Sequence, residues 1–277
     1  MKVSNLVSIA IVVCCAVFVT DAQVLKRTTT KTESIPIGPG STFSIMGAPM
    51  GDISVEAAAG STVELTATIE VQAMSEADLA GAAALTGYVT QEELGRVGIV
   101  SIGSDTRRKF TNEEKKLIKR LQGLPYRIDY TVKLPKYTSV EIDGGVGKIS
   151  LFGTEGQHKI KGVDSDLRVT ASGSTFINLM KGKVHVELLG GTRFEGIDAS
   201  VVSGDIDVLR FHSVSGDVDA SVLRTGKILN NDPELREIDK RKFPFSEKLV
   251  KARAGAGGTG IKLTVGDGNI SLQPLVQ

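Results

Sequence analysis

A five-position phrase keeps returning along this chain of 277 residues: glycine, a polar residue, isoleucine or valine, any residue, then an apolar one. It reads Gly51-Asp52-Ile53-Ser54-Val55, Gly147-Lys148-Ile149-Ser150-Leu151, Gly182-Lys183-Val184-His185-Val186 and Gly204-Asp205-Ile206-Asp207-Val208. It returns as Gly216-Asp217-Val218-Asp219-Ala220 and as Gly268-Asn269-Ile270-Ser271-Leu272. Glycine enters the left-handed region without a Cβ clash, so Gly51, Gly147, Gly182, Gly204, Gly216 and Gly268 are expected to turn sharp corners. The residues behind each corner alternate, the polar ones facing water and the β-branched ones facing inward. One such unit cannot bury its own apolar face, but a stack of units can. Irregular repeats roughly 20 residues apart fall within the periods of solenoids. The chain is therefore expected to be all-β: a single-stranded β-helix or β-solenoid-like stack of short strands.

The composition agrees. Thirty-one glycines, 8 prolines, 5% aromatic residues and no tryptophan fit short strands joined by tight turns. A formal charge of +1 offers no concentrated basic face for nucleic acid.

The N-terminus has the layout of a secretory signal peptide. Lys2 precedes an apolar run, Leu6 to Val19, too short to span a bilayer comfortably, and Thr20-Asp21-Ala22 places small residues for cleavage after Ala22. Both cysteines, Cys14 and Cys15, lie inside that run, so the mature chain is expected to carry no thiol. The expected organisation is a signal peptide at 1–22, a flexible lead-in at 23–33 and an N-terminal β region at 34–124. A β-solenoid repeat region follows at 125–277, carrying a charged loop insertion at 230–253. Within the N-terminal region, residues 73–95 are alanine-rich and helix-like, with Ser75 and Thr90 as candidate N-caps. Thr111-Asn112-Glu113-Glu114 opens a second short helix ending at Gly123. Together they read as a small helical insertion, at about 73–122, between strands.

Tyr130-Thr131-Val132-Lys133-Leu134-Pro135, Ser139-Val140-Glu141-Ile142 and the repeated Ser-Gly-Asp-Ile/Val resemble the bacterial putative-adhesin family of β-strand-repeat domains. The resemblance covers most of 125–275 and, more loosely, 34–72. It implies an exported envelope protein with a β-helix or related solenoid fold and brings no catalytic motif. The charged segment from Asn230 to Arg253 departs from the pattern.

Four acidic residues, Asp205, Asp207, Asp217 and Asp219, alternate with aliphatic ones and are expected on the solvent face. If their two phrases occupied adjacent coils, the carboxylates would approach one another, as glycoside hydrolysis or calcium binding requires. Aspartate after glycine at a strand start is also ordinary turn chemistry, and that reading is preferred; the four remain weak metal candidates. His158, His185 and His212 stand 27 residues apart, a spacing that differs from the coil interval, so surface positions are expected for them. Gly255-x-Gly257-x-x-Gly260 matches a dinucleotide fingerprint in letters only, because a strand-like segment, Ile261 to Val265, follows where a helix is needed. No G-x-S-x-G elbow is present.

No enzyme activity and no cofactor are expected. The expected function is that of an exported cell-envelope protein, periplasmic or at the surface, with an adhesin-like binding or scaffold role through repetitive sheet faces. Its partner would be an envelope polysaccharide or a surface protein, not nucleic acid, with no transmembrane segment in the mature chain. A monomer or weak self-association through end coils would fit. The alternative is a polysaccharide-active β-helix enzyme, a lyase or glycosidase, using outward-facing aspartates. The scarcity of rings argues against it, Tyr126, Tyr130 and Tyr137 forming the sole tyrosine cluster.

Overall fold

In a computed structural model, residues 24–104, 111–189, 194–238 and 246–275 are described. The expected signal peptide and its cleavage point after Ala22 lie outside them. The first half of the chain runs β1 (Leu25–Pro36), β2 (Thr42–Met50), β3 (Ile53–Ala58), β4 (Thr62–Ala73), α1 (Glu76–Leu85), β5 (Gly87–Glu93), β6 (Arg96–Ile102), α2 (Asn112–Leu121) and β7 (Tyr126–Pro135). Then come β8 (Ser139–Phe152), β9 (His158–Ala171), β10 (Gly173–Lys181), β11 (Val184–Leu188), β12 (Phe194–Ser203) and β13 (Ile206–Arg210). The last are β14 (Gly216–Thr225), β15 (Ile228–Asn230), β16 (Arg236–Glu237), β17 (Leu249–Ala254), β18 (Gly260–Asp267) and β19 (Ile270–Pro274).

The chain is all-β, its strands joined in one continuous network of hydrogen bonds. Most pairings are parallel and fall into two ladders. In the first, β6, β2, the start of β8, the start of β9, β10, β12, β18 and β14 follow one another. In the second the order is β7, β3, the end of β8, the end of β9, β11, β13, β19 and β15. Antiparallel strands close the ends: β5 on β6, β17 on β14, and β4 then β1 on β7.

Alternation explains the core. Ile142, Ile160, Ile177, Ala199 and Leu263 occupy equivalent positions in the first ladder, and Ile149, Leu167, Val184, Ile206 and Ile270 do so in the second. All ten are buried and belong to one apolar cluster. Burying a side chain of this size stabilises by about 1.5–3 kcal/mol, so a stack of such rows holds itself together without disulfides.

Between those two rows the chain takes seven steps from Ile142 to Ile149, Ile160 to Leu167, Ile177 to Val184, Ala199 to Ile206 and Leu263 to Ile270, and eight, with a register shift, from Ile45 to Ile53 and from Ala220 to Ile228. The return to the next coil varies, with ten steps from Leu167 to Ile177 and fifteen from Val184 to Ala199.

Four expectations about organisation are corrected. The lead-in at 23–33 is not a loose tail: β1 pairs with β4 from Leu25↔Ala73 to Pro36↔Thr62. Its threonines favour extended backbone, and its polar surface reflects an outermost strand. The helix-like stretch 73–95 ends at Leu85, capped at its start by Ser75, whose hydroxyl oxygen accepts from the Asp78 N–H. Thr90 instead lies in β5, where its hydroxyl reaches Glu33, because Tyr88-Val89-Thr90 carries β-branched and aromatic preference. The charged stretch 230–253 contains β16 and most of β17, and β17 pairs antiparallel with β14. The boundary at 124/125 does not divide the sheet either, since β3 lies between β7 and β8.

Candidate binding face and the corner column

The short connection between the ladders turns at a stacked column of glycines. Gly51, Gly147, Gly182, Gly204, Gly268 and Gly226 have φ between +120° and +145°. A Cβ on Gly147 would lie 2.1 Å from the Gly51 carbonyl oxygen, one on Gly204 1.7 Å from that of Gly182, and one on Gly268 1.9 Å from that of Gly204. Only hydrogen fits at these three contacts; on β9 the column position is held by Ser165, whose carbonyl oxygen would lie 2.0 Å from a Cβ on Gly182. Gly216 differs from the other phrase glycines: it opens β14 in the first ladder without a positive φ. The corner of its coil is turned by Gly226, which lies outside the repeated phrase.

The polar residue after each corner glycine bonds along the column. Asp52 Oδ1 accepts from the Lys148 N–H at 2.8 Å, Asp205 Oδ1 from the Asn269 N–H at 2.8 Å, and Asn269 Oδ1 from the Lys227 N–H at 3.1 Å. Asp129 Oδ1 accepts in the same way from Asp52, at 2.7 Å.

The four candidate aspartates are not brought together. Asp205 is engaged in the column, and Asp207 sits in the second ladder between His185 and Ser271. Asp217 and Asp219 are in β14, and β18 separates that strand from β12. The two phrases are thus not on adjacent coils. Arg253 Nε bonds Asp217 at 2.6 Å, and the Gly258 N–H adds a contact at 3.0 Å; together they hold this carboxyl below its usual range. Asp219 faces Lys251 at 3.8 Å. A general acid needs the opposite shift.

The histidines also separate. His158 is buried: its Nε2 lies 2.8 Å from Thr154 Oγ1 and its Nδ1 3.1 Å from Thr175 Oγ1, and burial lowers its pKa to about 4. That placement corrects the expected surface position, since His158 stands on the inward parity of β9, in line with Val140 and Thr175. His185 is half-buried 3.4 Å from Glu187, and His212 is exposed. Among the described residues, no group of three or more histidine, cysteine, aspartate or glutamate side chains is placed to hold a metal. Gly255, Gly257 and Gly258 turn the chain into β18, a strand.

The outer face of the first ladder carries an open depression of about 510 Å³ lined by Glu141, Lys159, Lys161, Phe176, Asn178, Asp198 and Ser200, among others. These side chains follow from register. Glu141, Lys159, Phe176 and Asp198 form one row across four coils, and Lys161, Asn178 and Ser200 form the next. Phe176 is 45% exposed, its ring standing on the outward parity of Thr175-Phe176-Ile177. The sequence reading missed it; an aromatic residue where the alternation calls for a polar one was the available signal. Within the tyrosine cluster Tyr130 provides no such platform, since it is buried and bonds Ser101 at 2.9 Å, while Tyr137 is exposed beside Lys136, outside this depression.

Charge is unevenly used on this face. Glu141 is bound by Arg96 at 2.6 Å on one side, and Asp198 is paired with Lys262 at 3.4 Å on the other. Among the described residues, no helix is long and apolar enough to cross a membrane.

No family model matches the sequence, and no curated protein does. Among solved structures, the chain is similar to a putative cell adhesion protein from Clostridium sporogenes, at 12% identity and a TM-score of 0.46, over 89% of this chain and 100% of that one. It is also similar to a putative adhesin from Bacteroides fragilis, at 11% identity and a TM-score of 0.26, over 89% of this chain and 97% of that one. A putative adhesin from Parabacteroides distasonis matches at 10% identity and a TM-score of 0.31, over 88% and 97% of the two chains.

Proposed function

We propose that this chain is a non-enzymatic, exported envelope protein that binds an extended polymer through the outer face of its first ladder. The two ladders are, on this reading, opposite walls of a β-solenoid, with the glycine column as the corner between them. The observation that carries the reading is the open depression around Phe176, which sets one exposed ring among charged and polar side chains on the outer face of the sheet. The aspartates best placed by sequence for hydrolysis support it from the other side. Asp205 accepts from a backbone N–H and Asp217 is paired with a guanidinium, and β18 separates the strand that carries Asp217 from β12.

The test uses residues 23–277 incubated with envelope polysaccharides, scoring retained protein and newly released reducing or unsaturated ends in the same tubes. Retention without product is the expected result. Product release abolished by Asp205→Ala or Asp217→Ala would overturn the non-enzymatic reading.

A further inference from the structure

The centre of that depression holds two lysines with nothing to neutralise them. Lys159 and Lys161 are both exposed on β9, and neither has an ion-pair or hydrogen-bond partner among the described residues. The flanking carboxylates are drawn outward, Glu141 to Arg96 and Asp198 to Lys262. Asp143 stands opposite Lys161 in register but forms no ion pair with it. The result is two adjacent ammonium groups beside an exposed ring, with an amide and a hydroxyl, Asn178 and Ser200, in the next row.

Geometry limits what fits. Lys159 and Lys161 lie two positions apart on one strand, so their stems rise ~6.6 Å apart, while Phe176 and Asn178 stand one coil away at ~4.8 Å. A ligand must present negative charge to the lysines and, within one residue's length, an apolar flat face to the ring. It must also carry hydroxyls for the amide. We infer that this face binds a carboxylated polysaccharide, with a uronic-acid-type sugar seated on Phe176 and its carboxylate between Lys159 and Lys161. The inference rests on the polymer-binding reading above and adds the ligand's chemistry. A sugar ring meets the demand because its axial C–H bonds give it an apolar face against an aromatic ring, while its carboxylate projects from the ring edge. Two strand spacings cover ~9.6 Å, about the length of a disaccharide unit, so the chain can run across the strands along the Lys161 row, past Asn178 and Ser200. Lysine suits this role as a flexible point charge, where a fixed bidentate fork would need one carboxylate pose.

The experiment measures binding of residues 23–277 to polygalacturonate, to the same polymer with its carboxyls reduced to alcohols, and to polyglutamate. The expected result is retention of polygalacturonate, weakened by added salt, with little binding of the reduced polymer or of polyglutamate. Lys159→Gln/Lys161→Gln is expected to lose about tenfold to a hundredfold in affinity, and Phe176→Ser about tenfold. All three side chains are exposed, so the variants should keep the parent's circular dichroism and melting point. Unchanged binding by the double variant would overturn this site while leaving polymer binding intact. Equal binding of polyglutamate would overturn the sugar assignment in favour of a general polyanion surface. Retention of neutral polysaccharides alone would overturn the charge assignment, and retention of no polymer would overturn the broader reading with it.

Discussion

Residues 139–210 and residues 211–275 each add strands to the same two parallel ladders, yet they are threaded differently. In the first region each turn lies directly on the one before it: β8, then β9, then β10 with β11, then β12 with β13. In the second, β18 and β19 follow β14 and β15 in the chain but stack inside them, directly on β12 and β13. The excursion through β16 and β17 makes this possible. It carries the chain out along β14 and returns it antiparallel, to enter the gap through the turn at Gly255–Gly258. The comparison separates two kinds of information. Alternation and a corner glycine suffice to make a coil; they do not say which coil it will sit on.

The two regions also seal their interiors with different chemistry. In the sequential region the polar group at the core is His158, neutral and held between two threonine hydroxyls. Where that region meets the interleaved one it is Arg210, the last residue of β13 and an inward position, bonded to Asp232 at 2.8 Å and to Glu234 at 2.8 Å of the interleaved region. It also donates to the Val214 carbonyl oxygen at 2.9 Å, tying down the loop that leads to β14. This ionic plug is enclosed, with β11 on one side of Arg210 and β19 on the other, and both Arg210 and Asp232 are buried.

The largest effect expected is from Gly268→Ala. Its Cβ would enter the Gly204 carbonyl at 1.9 Å with φ at +141°, at a cost of about 5 kcal/mol or more. Hydrogen exchange should then show protection lost across β14 to β19 but kept in β8 to β11, as a nearest-neighbour stack requires. Simultaneous loss everywhere would mean that the two regions are a single cooperative unit. Next is Arg210→Ala, which strands Asp232 as a buried charge and should cost about 4 kcal/mol in urea unfolding. The double variant Arg210→Met/Asp232→Leu should recover most of that loss. If it is as unstable as Arg210→Ala, the plug's hydrogen bonds, not its charge balance, hold it together.

The smallest effect belongs to the sequential region and is driven by pH. The folded state keeps His158 neutral down to about 4, whereas the unfolded chain takes up a proton near 6.5. Stability is therefore complete above pH 6.5 and falls through the window down to pH 4, by about 3 kcal/mol in total. His158→Gln should flatten that part of the stability profile. An unchanged slope would place the acid sensitivity elsewhere.

Much of this was legible from particular residues. The alternation of Val63 to Val71 and of Tyr130 to Leu134, the Ser75 cap and the glycine phrases each encode a local conformation, and local conformation is what sequence carries best. The echo at Gly216 misled because the five residues specify an entry into a strand without saying which ladder the strand joins. The same phrase enters the second ladder at Gly204 and the first at Gly216. Stacking order, the placement of β1 and the isolation of Lys159 and Lys161 depend on partners distant in the chain, and no short window records them. The burial of His158 lay between: its parity in β9 was readable, but its neighbours Thr154 and Thr175 come from the coil's other corner and from the next strand.

The short connection gives the molecule one edge that varies by a single step, seven or eight, and another that varies by five or more. Because a glycine at that first edge touches the backbone of the neighbouring strand, a methyl group there disturbs its neighbours as well as itself. The opposite returns already differ in length from coil to coil, so insertions there leave the rows in register. Lineages of such a chain are expected to diversify along that second edge, and a grafted loop should be placed there by anyone wishing to display a new peptide on the scaffold.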